Sequence, residues 1–89
     1  MSKYAELRDW LGHCGQPRVR VSFGELNDIV PGGLPPSAYH HDAWWNNESG
    51  PNSTHSQSRW GWMPAGYRVE TVDRRQQYVI FTQAPGVVA

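Results

Sequence analysis

Between residues 34 and 50 the chain reads LPPSAYHHDAWWNNESG, two adjacent histidines followed closely by two adjacent tryptophans. Imidazoles move protons or bind metals, and indoles stack on flat ligands. His40, His41, Asp42 and His55 supply nitrogen and oxygen donors, with His13 and Cys14 as a distant second pair. The spacing fits no zinc signature: adjacent histidines rarely ligate one ion, and the paired cysteines of structural sites are missing. The sequence therefore predicts no metal, and His40 and His41 read as a polar rim around the tryptophans.

Catalytic chemistry is equally thin. Cys14 lies beside His13, but adjacency in sequence is not the spatial relation that a nucleophile and its base require. Asp42 with His41, or Glu48 with His55, can be written as an acid–base pair, yet almost any chain of 89 residues contains such pairs. There is no Gly-rich phosphate loop, no Gly-x-Ser-x-Gly and no His-Glu-x-x-His. A non-catalytic protein without a cofactor is expected.

The tryptophans carry more information. Neighbours on a strand point to opposite faces and neighbours on a helix diverge by about 100°, so Trp44 and Trp45 cannot share one position in a core. In one arrangement, one ring fills the core and the other caps its edge, giving its Nε1–H to a loop carbonyl. The alternative is an exposed platform with Trp60 or Trp62 as a second wall, flanked by Asn47, Arg59 and Arg68. Such a surface stacks a base and hydrogen-bonds its edge.

Eight Lys and Arg balance eight Asp and Glu, giving a formal net charge of zero. Global attraction to nucleic acid or to an anionic membrane is therefore not encoded. Every basic residue except Lys3 is arginine, the residue that forms bidentate contacts to phosphate or carboxylate and stacks on aromatic faces. A single cysteine excludes an internal disulfide. The opening MSKYAELRDWL lacks the apolar region of a signal peptide, and no apolar run approaches the ~20 residues that span a bilayer. A cytoplasmic monomer or weak dimer is the expectation.

The elements that must position these residues follow from hydrophobic period. Tyr4, Leu7, Arg8 and Leu11 recur at helical spacing, predicting a helix over residues 3–13 ended by Gly12 and Gly15. In RVRVSF, Val19, Val21 and Phe23 alternate with Arg18, Arg20 and Ser22, which describes a half-buried strand. Ser22 and Glu25 have capping-box spacing, so the strand should turn directly into a second helix with Phe23, Leu26, Ile29 and Val30 on its inner face. PGGLPP breaks that helix and starts an irregular stretch, and residues 46–58 form a polar loop. A short helix within residues 55–65, closed by Gly66, would place Gln57, Trp60 and Met63 together. YRVETV and QQYVIFT flank DRR as a hairpin, with Tyr67, Val69 and Thr71 on one face. Residues 84–89 form a frayed tail.

One domain of class α+β results, a small three-stranded antiparallel sheet packed on two to three short helices. Val19, Val21, Val69, Val79 and Phe81 should meet Leu7, Leu11, Leu26 and Ile29.

The order of these motifs resembles an uncharacterised family of small bacterial domains. The likeness rests on Leu34, Pro35, Ser37 and Ala38, on Trp44, Trp45 and Asn47, and on Ala65 and Gly66 before Tyr67, in a pattern of Leu-Pro-x-Ser-Ala, Trp-Trp-x-Asn and Ala-Gly-Trp or Ala-Gly-Tyr. It spans nearly the whole chain, and implies one fold and one domain but no mechanism. The chain departs from the pattern at Pro64, and in a longer loop over residues 48–54.

Two classes of function remain. One is a recognition module for nucleic acid or a nucleotide, acting in bacterial or phage defence or in transcriptional control. The other is a protein–protein module using exposed Trp, Tyr and Arg as a hot spot. Zero net charge favours the second; the combination of Trp, Arg and Asn favours the first, which is the reading adopted.

Overall fold

In strand β1 (Arg18–Ser22), Val19 and Val21 are buried and Arg18 and Arg20 exposed, the alternation expected of a strand with one face on a core. The computed structural model describes residues 2–47 and 55–83. The rest of the polar loop, including Glu48 of one candidate acid–base pair, and the tail after Gln83 lie outside the described residues.

Helix α1 (Ala5–Cys14) buries Leu7 and Leu11, one turn apart. Gly12 lies inside it rather than ending it, and Gly15 closes it with φ 64°, a left-handed value that costs glycine least. Helix α2 (Phe23–Ile29) starts directly from β1 through the expected capping box. The Glu25 amide donates to Ser22 Oγ at 3.0 Å, while Glu25 Oε1 accepts from the Ser22 amide at 3.2 Å.

The stretch expected to be irregular contains two further elements. Helix α3 (Pro36–His40) has proline in its first turn, where the missing N–H costs nothing, and a 3₁₀ turn follows over Asp42–Trp45. A π-helical turn, Ser58–Trp62, comes after the loop.

Strands β2 (Tyr67–Asp73) and β3 (Tyr78–Gln83) form the C-terminal hairpin, and the antiparallel sheet has the order β1-β3-β2. The hairpin departs from the sequence reading in two ways. Val69 pairs Phe81 and Thr71 pairs Ile80, so Glu70 is an extra residue and the alternation slips at this bulge. Thr71 is consequently exposed, while Val72 is half-buried like Val69. The connection is also longer than DRR, since Gln76 and Gln77 belong to the turn. Asp73 Oδ1 accepts from the Gln76 amide at 2.9 Å, and Gln77 has φ 60°.

The α+β layering is as the hydrophobic pattern requires: the sheet packs one face on the helices. Leu7, Leu11, Val21, Phe23, Leu26, Val79 and Phe81 form the buried centre together with Trp62. Ile29 and Val69, expected in that centre, are half-buried at its edge. Tyr67 ties the layers together by donating its hydroxyl to the Gln16 carbonyl at 2.5 Å.

Candidate functional site

Four tryptophans were candidates for an exposed platform, and the fold treats them differently. Consecutive residues of a 3₁₀ turn lie about 120° apart, so Trp44 and Trp45 leave the backbone in divergent directions. Trp45 enters the core at 3% exposure, stacked on Phe23 at 5.2 Å and on Trp62 at 5.9 Å between ring centroids. Its Nε1–H donates to the Ala38 carbonyl at 2.9 Å, as a buried indole requires. Trp44 is half-buried and packs edge-on against Trp45 at 4.6 Å. The pair therefore adopts the bland arrangement, one ring filling the core and one capping its edge, although the polar handle belongs to the buried ring.

Trp60 and Trp62 are two residues apart in the π turn, closed by the Met63 amide donating to the Ser58 carbonyl at 3.0 Å. Two steps along such a turn carry a side chain to roughly the opposite side, so if one ring faces inward the other faces out. Trp62 is fully buried, whereas Trp60 is 45% exposed and is the one large hydrophobic exposed among the described residues. Trp60 does not share a face with Gln57 as the sequence suggested. Gln57 is buried and donates from Nε2 to the Trp44 carbonyl at 2.6 Å, the wider π turn carrying Trp60 away from it.

Between the two indoles, Gly61 lies against α1. A Cβ there would stand 3.4 Å from the Tyr4 Cβ, in van der Waals contact with the helix.

Asn47, expected beside the platform, serves the fold. Its Oδ1 accepts from the Val69 amide at 2.8 Å and from Trp62 Nε1 at 2.9 Å, and its Nδ2 donates to the Val69 carbonyl at 3.1 Å. One carboxamide thus makes both bonds that a neighbouring strand would make at Val69 and also satisfies the buried indole. Asn47 seals the outer edge of β2 at this residue.

What remains exposed is a groove of about 730 Å³ walled by Trp60, Ser56, Tyr4, Ala5, Ser2, Lys3 and Arg8. Its size falls within the range of small-molecule sites. Arg59 lies over the Trp60 ring with its guanidinium 4.8 Å from the centroid, and a guanidinium on one face leaves the other for a ligand. Lys3 and Arg8 place two cations along the walls, Arg8 paired with Asp9 at 3.1 Å on the surface, where water screens such a pair to little net value. At the start of α1 the Tyr4 amide donates to Ser2 Oγ and the Ala5 amide to the Ser2 carbonyl, both at 3.2 Å, and Glu6 stands in the first turn. Burial pushes the Tyr4 hydroxyl above its ordinary pKa.

The other candidates are dispersed. His40 and His41 are exposed beside the 3₁₀ turn that carries Trp44 and Trp45, and neither walls the groove at Trp60. Arg68 is exposed on strand β2, whose cross-strand neighbour is Thr82, not an indole. Among the described residues, no three His, Cys, Asp or Glu side chains gather as a metal donor set. Cys14 gives its Sγ–H to the Trp10 carbonyl at 3.4 Å, and burial pushes its pKa up, the direction that favours the thiol.

Of the expected platform Trp44, Trp45, Trp62 and Asn47 come together inside the fold, and only Trp60 and Arg59 do so at the surface. Lys3, Tyr4 and Arg8 complete the groove and were missed, because the period of α1 marked Tyr4 and Arg8 only as a helical stripe. The signal that bears on them is Gly61: a glycine between two tryptophans marks a close approach of backbone to another element.

Among the described residues no helix is long and apolar enough to cross a membrane. Comparison with curated proteins and with solved structures gives no match. A family profile does match residues 4–84, nearly the whole chain and all of the described groove except Ser2 and Lys3, and the chain belongs to that family, the domain of unknown function DUF7662.

Proposed function

We propose that the protein is a recognition module that stacks a base of a single-stranded nucleic acid, or of a nucleotide, on Trp60. The observation that carries this reading is the Trp60 ring itself, exposed by the π turn as a wall of a groove lined by two cations. A tryptophan left in water forfeits part of the burial that would otherwise stabilise the fold, and π turns recur at functional sites. Base and indole offer each other flat faces, while Lys3, Arg8 and Arg59 meet the phosphates. Local rather than global positive charge suits a short strand or a single nucleotide. A role in defence or in transcriptional control is compatible with such a module.

Titration with oligothymidylate, read by Trp fluorescence at several salt concentrations, tests this. Binding should weaken with salt at a log–log slope of about −2 if three cations meet phosphate. Trp60→Ala should cost about 1–3 kcal/mol of affinity without loss of the fold. Accessibility of Trp60 to a neutral quencher without any oligonucleotide binding would shift the reading to a protein partner that buries Trp60 as a hot spot, as the balanced charge favours.

A further inference from the structure

The two edges of the sheet are finished differently. At β2, Asn47 occupies the Val69 backbone and the Glu70 bulge twists the strand away, two devices that prevent further pairing. The edge of β1 has neither. The Phe23 amide donates to the Gln77 carbonyl and the Gln83 amide to the Pro17 carbonyl, both at 2.8 Å. In the β1–β3 register these bonds assign the odd-numbered residues of β1 to the hydrogen-bonded pairs, so the backbone groups of Arg18, Arg20 and Ser22 face outward. Glu25 takes the Ser22 amide. The N–H and C=O of Arg18 and Arg20 are left as an open edge, without a partner among the described residues.

Side chains at the same two positions decide what fits there. Arg18 and Arg20 are exposed on the sheet face that no helix covers. Arg18 already accepts one carboxylate, donating from Nε to Glu70 Oε2 at 3.0 Å across β3. Arg20 has no acid partner among the described residues, and its guanidinium rests 4.0 Å from the Tyr78 ring centroid. A second copy of the chain fits poorly. Antiparallel pairing of β1 with itself about Val19 sets Arg18 against Arg20, and pairing about Arg20 sets that residue against itself, both like-charge contacts. The edge of β2 in another copy is closed at Val69 by Asn47.

We infer that the outer edge of β1 accepts an extended segment of a partner protein as a fourth strand, with acidic residues two apart opposite Arg18 and Arg20. Main-chain bonds to the two arginine residues supply affinity, and the arginine side chains select acid-x-acid over other sequences. This surface is separate from the Trp60 groove, and stands whether or not that groove takes a nucleic acid.

The test uses three fluorescein-labelled octapeptides in which valine alternates with glutamate, lysine or serine. Fluorescence anisotropy should show the glutamate peptide binding about tenfold or more tightly than the lysine peptide. Hydrogen exchange should slow at the Arg18 and Arg20 amides, while Val19, already in the ladder, stays unchanged. Arg18→Glu with Arg20→Glu should invert the preference. Arg20→Pro removes the outward N–H without touching a β1–β3 bond and should abolish binding while circular dichroism is retained. The charge-reversed pair carries the test alone if Arg20→Pro does not fold. Equal binding of the three peptides, no binding at millimolar concentration, or self-association that protects the same two amides would each overturn the inference.

Discussion

Two tryptophan pairs lie within nineteen positions of each other, and the backbone beneath them decides their fates. Trp44 and Trp45 are consecutive on a 3₁₀ turn, and both lean on the core, stacked or edge-on among Phe23, Tyr4 and Trp62. Trp60 and Trp62 are two apart on a π turn, and that step sends one ring into the centre and the other into solvent. Composition treats the four rings alike. The difference teaches that an aromatic-rich segment becomes a surface only where local geometry denies one ring its burial.

The comparison breaks most readily at the inner members. Trp62→Ala should destabilise by about 3–5 kcal/mol, as large-to-small changes of buried aromatics do, whereas Trp60→Ala should stay within about 0.5 kcal/mol. Chemical denaturation midpoints measure both. Equal losses would mean that Trp60 is core and that the groove is not a site.

A smaller effect tests the link between the pairs. Asn47, two residues after Trp45, holds Trp62 Nε1, so Asn47→Ala should cost about 1–3 kcal/mol by leaving a buried indole N–H and the Val69 amide unpaired. Trp62→Phe removes the indole N–H in advance, and in that background the penalty should shrink. Additive losses in the double-mutant cycle would show that the Asn47–Trp62 bond carries no coupling.

The smallest expected effect concerns Tyr4, which packs edge-on against Trp44 at 6.1 Å and lies against Gly61 of the other pair. Its folded pKa is raised above 10.0 by burial. The unfolded tyrosine therefore ionises first, so its contribution is whole below pH 10 and declines as pH rises through the folded value. Tyr4→Phe should show a shallower loss of stability above pH 10 than the unsubstituted protein. Parallel alkaline curves would place the Tyr4 hydroxyl in water.

The sequence was most legible where local pattern and tertiary demand agree. Alternation in RVRVS reveals β1, and Ser22 with Glu25 reveals the strand-to-helix junction, because both signals act within a few residues. The Glu70 bulge was not legible. It changes which β2 residues face the core without altering their types, and only the register with β3 exposes it. Asn47 misled for a related reason: a carboxamide beside two indoles looks equally suited to a base edge and to a backbone, and its partner Val69 is twenty-two positions away. The groove needed Lys3 and Arg8 brought to Trp60, a long-range contact that hydrophobic period does not encode.

The sheet order has a consequence for synthesis. Strand β3 stands between β1 and β2, which do not pair with each other, yet it is the last of the three to be made. A chain made only as far as Asp73 holds two strands with every ladder bond still to form. At about 5–20 residues per second the stretch to Gln83 takes on the order of a second to translate. Throughout that interval the two strands already made have no partner for their ladders, because each pairs only with the third. A stop codon within β3 would leave it in that condition permanently.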